Sequence, residues 1–148
     1  MDSTLTRDAI ELVKNFEGFQ SEPYRDVAGV WTIGYGSTRV DGLPVDEHTT
    51  AVSEQQAEEL MLDELEKTAA RVKRLTTVPL LACELGALTS FAYNLGTGAY
   101  KSSTLRRRVN EHDLEAIPTE FLKWTIAGGR RQPGLVRRRQ AEVALFFS

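Results

Sequence analysis

Three polar residues near the start of the chain have the types and the spacing that acid-assisted bond cleavage requires. Asp26 follows Glu17 by nine residues, and Thr32 follows Asp26 by six. A carboxylic acid can protonate the leaving oxygen of a glycosidic bond, and a carboxylate beside a hydroxyl can orient a water on the opposite face of the sugar. The triad therefore predicts chemistry on a glycosidic bond.

Each of the three residues also has an ordinary structural explanation. Glu17 precedes Gly18 and is explained as a surface glutamate in the last turn of a helix. Asp26 lies in a chain reversal, where aspartate commonly bonds to the backbone two residues on. Thr32 is β-branched and suits a strand. Within one helix–loop–strand unit, however, the three residues together favour a catalytic role.

The N-terminal elements that must position the triad follow from caps and periodicity. Thr6 is an expected N-cap, and apolar residues at helical spacing predict a helix that Gly18 ends. Glycine, aromatic and β-branched residues over 27–40 predict short strands. The sequence from Ser53 to Gln56 has the capping-box pattern and predicts the start of a long helix.

The sequence of the remaining chain predicts four further helical stretches and no further strand. They are expected from Leu81 to Asn94, from Ser103 towards Asn110, from Pro118 to about Ala127, and from Gly134 to Phe147. The predicted fold is α+β and mostly α. A small N-terminal lobe with a short β-sheet is expected over about 1–53, a connecting helix over about 54–76, and a helical C-terminal lobe over about 77–148, all within one domain.

Composition excludes several classes of function. The 148 residues are 41% hydrophobic and 26% charged, and no apolar run approaches the roughly 20 residues of a membrane span. The residues from Met1 to Asp8 lack the basic and apolar regions of a signal peptide. Cys83 is the only cysteine, and neither histidine has a partner at metal-ligand spacing. No metal or other cofactor is expected.

Charge is distributed unevenly along the chain. Residues 100–148 contain 10 Lys and Arg against 5 Asp and Glu, although the whole chain has a net charge of -3. A basic segment favours an anionic polymer, whether nucleic acid or bacterial cell wall. A solvated basic face without a polymer partner explains the charge equally well.

The motifs around the triad resemble those of the phage-type lysozymes, or endolysins, of glycoside hydrolase family 24. The family pattern E-G-x…Y-x-D…G-x-x-T-I-G-x-G is matched by Glu17-Gly18, Tyr24 to Asp26 and Gly29 to Gly36. Further blocks are matched by Ala87 to Gly96 with Ser103 to Leu105, by Phe121 to Trp124, and by Gly128-Gly129 with Gly134 to Glu142. The resemblance covers nearly the whole chain in order.

The resemblance implies a lysozyme-like fold and a glycoside hydrolase that lyses bacterial cells. The implied reaction is hydrolysis of the β-1,4 bond between N-acetylmuramic acid and N-acetylglucosamine in peptidoglycan, with inversion. Glu17 would be the general acid. Asp26 would stabilise the transition state and help place the water, and Thr32 would hydrogen-bond that water.

Less specific matches suggest which residues meet the saccharide. These expected substrate-binding residues are Tyr24, Gly36, Thr38, Tyr93, Asn94 and Arg137. Core packing explains Tyr93 equally well and is favoured for Phe91, Trp31 and Trp124. One arginine of the run 137–139 is expected to hold Glu17, and Arg137 is the residue named for that role.

Three other functions stay open. A lytic transglycosylase would form an anhydro-sugar and would have no need of a water-positioning Asp26 and Thr32. A non-catalytic wall-binding or partner-binding module on the same scaffold is a second alternative. Nucleic-acid binding is the weakest, because no recognised motif surrounds the arginine runs. The expected protein is a monomer without stable membrane association, which acts on peptidoglycan after accumulating in the host cytoplasm.

Overall fold

A computed structural model describes residues 5–148 as a mostly helical chain with three small antiparallel sheets. The helices are α1 (Arg7–Glu17), α2 (Glu54–Leu75), α3 (Ala82–Leu95), α4 (Thr97–Ser102), α5 (Thr104–Asn110), α6 (Ile117–Leu122) and α7 (Pro133–Phe146). The strands are β1 (Gln20–Arg25), β2 (Trp31–Gly34), β3 (Arg39–Val40), β4 (Leu43–Pro44), β5 (Ile126–Ala127) and β6 (Arg130–Arg131). The predicted α+β, mostly α class is confirmed.

The chain divides into two compact units. One is Val13–Leu65, and the other joins the described residues through Leu12 to Glu66–Ser148. Helices α1 and α2 each contribute residues to both units.

The caps expected at the helix ends are present. The Thr6 hydroxyl accepts a hydrogen bond from the Ala9 N–H at 3.2 Å and starts α1, and Gly18 ends it at φ +70°. Ser53 and Gln56 form the reciprocal capping box at the start of α2, with N···O distances of 3.1 and 2.9 Å. Helix ends are therefore the features that the sequence specifies most directly.

Within Val13–Leu65, strands β1 and β2 pair antiparallel. Tyr24 lies opposite Thr32, Arg25 lies opposite Trp31, and the register shifts between Gln20 and Tyr24. The sequence predicts a loop where β1 lies, which is wrong. Its mostly exposed residues give no alternation of polar and apolar side chains, and Pro23 argues against a strand, although proline is tolerated in an edge strand.

The core of the other unit centres on the buried Phe91 of α3. Its ring makes edge-on contacts with the rings of Tyr100, Phe121 and Trp124 at centroid distances of 6.4, 5.7 and 5.5 Å. Edge-to-face pairs of this kind contribute beyond the apolar area that they bury. Phe91 is thus a core residue, as expected, and Trp124 packs against it.

A hairpin replaces the end of one predicted helix. The helix expected from Pro118 to about Ala127 ends at Leu122, and β5 pairs with β6 across Gly128-Gly129. Both glycines have positive φ, +61° and +77°, as the central residues of a type I′ hairpin turn require. The short helix α4 was also not expected from the sequence.

Among residues 5–148, no helix combines the length and hydropathy that crossing a membrane requires.

Gly86 of α3 has no room for a side chain. A Cβ at this position would lie 2.7 Å from the Cβ of Ala9 in α1. We expect Gly86→Ala to lower the free energy of unfolding by about 1–3 kcal/mol through overpacking. Gly98→Ala is the matched control, since its Cβ would meet nothing within 4 Å and alanine is the better helix former. Urea unfolding measures both, and a Gly86→Ala variant as stable as Gly98→Ala would contradict this packing.

Candidate active site

Glu17 is the last residue of α1, and its carboxylate lies against the backbone of Gly36. A Cβ at Gly36 would be 2.6 Å from Glu17 Oε1 and 3.3 Å from its Cδ. Gly36 also has φ +85°, which side-chain-bearing residues rarely adopt. Glycine is therefore favoured here by its conformation, and any side chain would have to displace the Glu17 carboxylate.

The segment Gly34-Tyr35-Gly36 holds this contact in place. A Cβ at Gly34 would lie 2.9 Å from the Cβ of Ala57, so the strand lies directly against α2. The Tyr35 hydroxyl donates to Glu54 Oε1 at 3.0 Å, and its ring packs against Phe19 at 5.6 Å. The buried Tyr35 thus anchors the backbone that touches Glu17 to the start of α2.

Asp26 serves the local turn. Its Oδ1 accepts hydrogen bonds from the N–H groups of Ala28 at 2.9 Å and Val30 at 2.8 Å. The Asp26 N–H donates to the Val30 carbonyl at 2.9 Å. The turn explanation weighed in the sequence is therefore correct for Oδ1, and Oδ2 is left outside these bonds.

Thr32 is tied to the same residue as Asp26. Its side chain is buried, and its Oγ1 donates to the Val30 carbonyl at 2.9 Å. Because the hydroxyl proton is used in that bond, the lone pairs of Oγ1 are what Thr32 offers to a further partner. Backbone atoms of Val30 consequently fix both Asp26 and Thr32.

Tyr24 is influenced by both carboxylates. Its pKa is raised by burial first and then by the negative charges of Glu17 and Asp26. Tyr24 also lies directly across the β1–β2 ladder from Thr32. Tyr24 therefore lies within the electrostatic influence of both carboxylates and is the β-ladder partner of Thr32.

The positions of the other expected substrate-binding residues do not test the roles predicted for them. Thr38 is exposed, and its carbonyl accepts the Val45 N–H at 2.9 Å. Tyr93 and Asn94 are half-buried in the last turn of α3, and Arg137 is exposed on α7. These three belong to the unit that contains Glu66–Ser148. Their roles towards a saccharide, and that of Arg137 towards Glu17, stay predictions.

A buried ionic cluster on α3 and α7 is absent from the sequence-based expectations. Glu142 accepts from Ser90 Oγ at 2.6 Å and pairs with Arg139 Nε at 2.7 Å and Arg138 Nε at 3.4 Å. Burial raises the pKa of Glu142, while Arg139, Arg138 and Ser90 act in the opposite direction. The spacing of Glu142 from Arg138 and Arg139, four and three residues, is the signal that could have revealed it.

No group of three or more His, Cys, Asp or Glu side chains within residues 5–148 could hold a metal ion.

Comparison with known proteins places this geometry in a family. A sequence profile of the phage lysozyme family matches residues 14–142. The chain belongs to the phage lysozyme family. The matched range includes the Glu17, Asp26 and Thr32 constellation as well as the buried cluster on α3 and α7.

Individual phage endolysins are similar to this protein along almost all of its chain. An endolysin of Bacillus phage B103 is 38% identical over 146 residues, which are 97% of this chain and 54% of that protein. An endolysin of Acyrthosiphon pisum secondary endosymbiont phage 1 is 34% identical over 148 residues, covering 97% of this chain and 98% of that protein. The chain therefore spans about half the length of the Bacillus phage relative and nearly all of the other.

A solved structure shares the fold. The endolysin from Escherichia coli O157:H7 phage FAHEc1 superposes with a TM-score of 0.87 at 34% identity, covering 100% of this chain and 94% of that chain. The lysozyme-like fold expected from the sequence is thereby confirmed.

Replacing Gly36 tests whether its bare backbone positions the Glu17 carboxylate. We expect Gly36→Ala to displace that carboxylate and to lower wall-lysing activity at least about tenfold, because misplacing a reacting group by about 1 Å can cost a hundredfold. Gly42→Ala controls for backbone strain, since Gly42 has φ +79° but nothing within 4 Å of its Cβ position. Lysis rates of folded variants give the answer, and equal losses in both would refute the positioning role.

Proposed function

We propose that this protein is a peptidoglycan-lysing lysozyme that cleaves the β-1,4 bond between N-acetylmuramic acid and N-acetylglucosamine. The observation that carries the proposal is that the backbone of Val30 bonds both Asp26 and Thr32, on the strand pair that also contains Tyr24. The charges of Glu17 and Asp26 both raise the pKa of Tyr24. Membership of the phage lysozyme family supports the substrate class. The whole chain would act as one lysozyme domain.

In the proposed reaction Glu17 acts first. Its carboxylic acid donates a proton to the glycosidic oxygen as the bond from that oxygen to the anomeric carbon breaks. Positive charge develops on the sugar ring in an oxocarbenium-like transition state, and the Asp26 carboxylate stabilises it. The backbone of Gly36 limits where the Glu17 carboxylate can lie.

A water then completes the hydrolysis. It donates one proton to Thr32 Oγ1, whose own proton is used at the Val30 carbonyl, and the other to Asp26 Oδ2. That arrangement directs a lone pair of the water at the anomeric carbon, and its proton passes to Asp26 as the new bond forms. Attack from the face opposite the leaving group gives inversion, for which the carboxyl groups must be roughly 6.5–9.5 Å apart.

Charge supports an anionic wall polymer as the partner. The unit Val13–Leu65 contains 11 acidic and 3 basic residues, whereas the remaining chain contains 10 acidic and 15 basic residues. In this remaining part of the chain, the exposed arginines include Arg107, Arg130, Arg131 and Arg137. Peptidoglycan carries carboxylates on its peptides, so a basic surface favours its approach. It stays a prediction that the protein acts as a monomer, without nucleic acid or stable membrane association. Its accumulation in the host cytoplasm before release is likewise a prediction.

Replacing Glu17 tests the proposed acid. We expect Glu17→Gln to fold normally and to clear outer-membrane-permeabilised Gram-negative cells at least about 100-fold more slowly, because the amide cannot donate the catalytic proton. Glu22→Gln, at an exposed position in β1, is the control and should clear at the wild-type rate. Circular dichroism verifies the fold of each variant.

The products separate the competing functions. Mass spectrometry should find muropeptides with a free reducing end, whereas a lytic transglycosylase would release anhydro products lighter by one water. If the protein binds cell walls without lysing cells, and Glu17→Gln leaves that binding unchanged, the protein is a binding module and not a hydrolase.

Replacing Asp26 separates its structural role in the turn from the proposed catalytic role of its charge. In Asp26→Asn the amide oxygen can still accept the Ala28 and Val30 N–H groups, so thermal unfolding should change little. Activity should nevertheless fall by about 100-fold, because the base for the water is lost. Asp26→Ala should lose both stability and activity. Wild-type lysis by Asp26→Asn would remove Asp26 from the mechanism.

A further inference from the structure

Lys14 lies three residues before Glu17 on α1, so the two side chains are neighbours on one side of the helix. Its carbonyl accepts the Gly18 N–H at 3.0 Å, in the turn that ends α1. Only 20% of its side chain is exposed. Lysine side chains are rarely covered to this extent unless the ammonium group is paired. The contacts of this ammonium group therefore bear on the end of the helix that carries Glu17.

The Lys14 ammonium group has two partners in the unit Val13–Leu65. Its Nζ lies 5.5 Å from the centroid of the Tyr35 ring, within the reach of about 6 Å for a cation–π interaction. The same atom lies 3.5 Å from Glu58 Oε1. Since the Tyr35 ring is buried, its attraction for the cation is less weakened by water than at an exposed site.

Helix α2 supplies a carboxylate to each member of this pair. Glu58 contacts Lys14, and Glu54, one turn earlier, accepts the hydrogen bond from the Tyr35 hydroxyl at 3.0 Å. Two glutamates four residues apart repel each other on a helix. The ammonium group beside one of them and the hydroxyl beside the other reduce that repulsion. Lys14 and Tyr35 are thus both fixed to the first turns of α2.

We propose that Lys14 is a positioning residue for the Glu17 carboxylate. Its ammonium group holds the Tyr35 ring, and Tyr35 fixes the adjoining backbone of Gly36, which limits where that carboxylate can lie. The inference rests on the proposed function, in which Glu17 is the acid. It adds a residue that neither touches the substrate nor transfers a proton.

Kinetics of Lys14 variants on soluble peptidoglycan fragments test the proposal. Lys14→Met keeps the aliphatic part of the side chain and removes the charge. We expect kcat to fall about three- to tenfold and KM to change by less than about twofold, because the acid is misplaced while saccharide binding is kept. Lys14→Arg should recover most of kcat, since a guanidinium group also lies over aromatic rings and pairs with carboxylates.

Lys73→Met is the matched control. Lys73 is exposed in the last turn of α2, and within residues 5–148 its side chain has no ion pair or ring contact. This variant should keep the wild-type kcat. Rates are expressed per folded molecule, with the folded fraction taken from circular dichroism, so a loss of stability alone would leave kcat unchanged.

A double-mutant cycle shows whether the effect passes through the ring. In Tyr35→Leu the ring is absent, so adding Lys14→Met should lower kcat no further. If Tyr35→Leu does not fold, the recovery of kcat by Lys14→Arg decides, because it needs no change at Tyr35.

Three results would overturn the inference: a wild-type kcat in folded Lys14→Met, no recovery in Lys14→Arg, or an undiminished effect of Lys14→Met in folded Tyr35→Leu. Lysis and free reducing ends from the wild type in those cases leave the proposed function standing. Their absence would refute the proposed function itself.

Discussion

The contact between the Glu17 carboxylate and the backbone of Gly36 is the constraint on which the candidate site depends. It requires a helix that ends just after Glu17 and a strand that turns at positive φ without a side chain. Tyr35 stabilises this arrangement, since its hydroxyl donates a hydrogen bond to Glu54 at the start of α2. The backbone beside the Glu17 carboxylate is thus fixed to α2, which limits where that carboxylate can lie.

The residues of the candidate site have structural roles beside the chemical roles proposed for them. Asp26 closes a turn with Oδ1, which leaves Oδ2 outside those bonds. Thr32 satisfies its own proton inside the protein and thereby presents an acceptor. On α3 and α7, burying Glu142 is tolerable only because charged and hydroxyl donors surround it. Removing any one donor there would leave a poorly compensated buried charge.

The sequence predicts well what local chemistry determines. Thr6, Gly18 and the Ser53–Gln56 box act within a few residues, so their helix ends could be read directly. Strand β1 could not be predicted in this way, because its formation depends on pairing with β2. Its own residues are mostly exposed and include a proline. The triad stays a prediction from spacing and resemblance. The hydrogen bond between Arg139 and Asn94 could not be predicted, because it depends on side-chain directions on two helices far apart in sequence.

Backbone control of Asp26 and Thr32 has a consequence for the hairpin between β1 and β2. Val30 bonds Asp26 and Thr32 through its N–H and carbonyl alone; this residue is 46% exposed, and Val27 is fully exposed. Side chains at these two positions can therefore vary without disturbing the backbone atoms that bond Asp26 and Thr32. Substitutions at the tip of this hairpin should therefore leave the geometry of Asp26 and Thr32 intact.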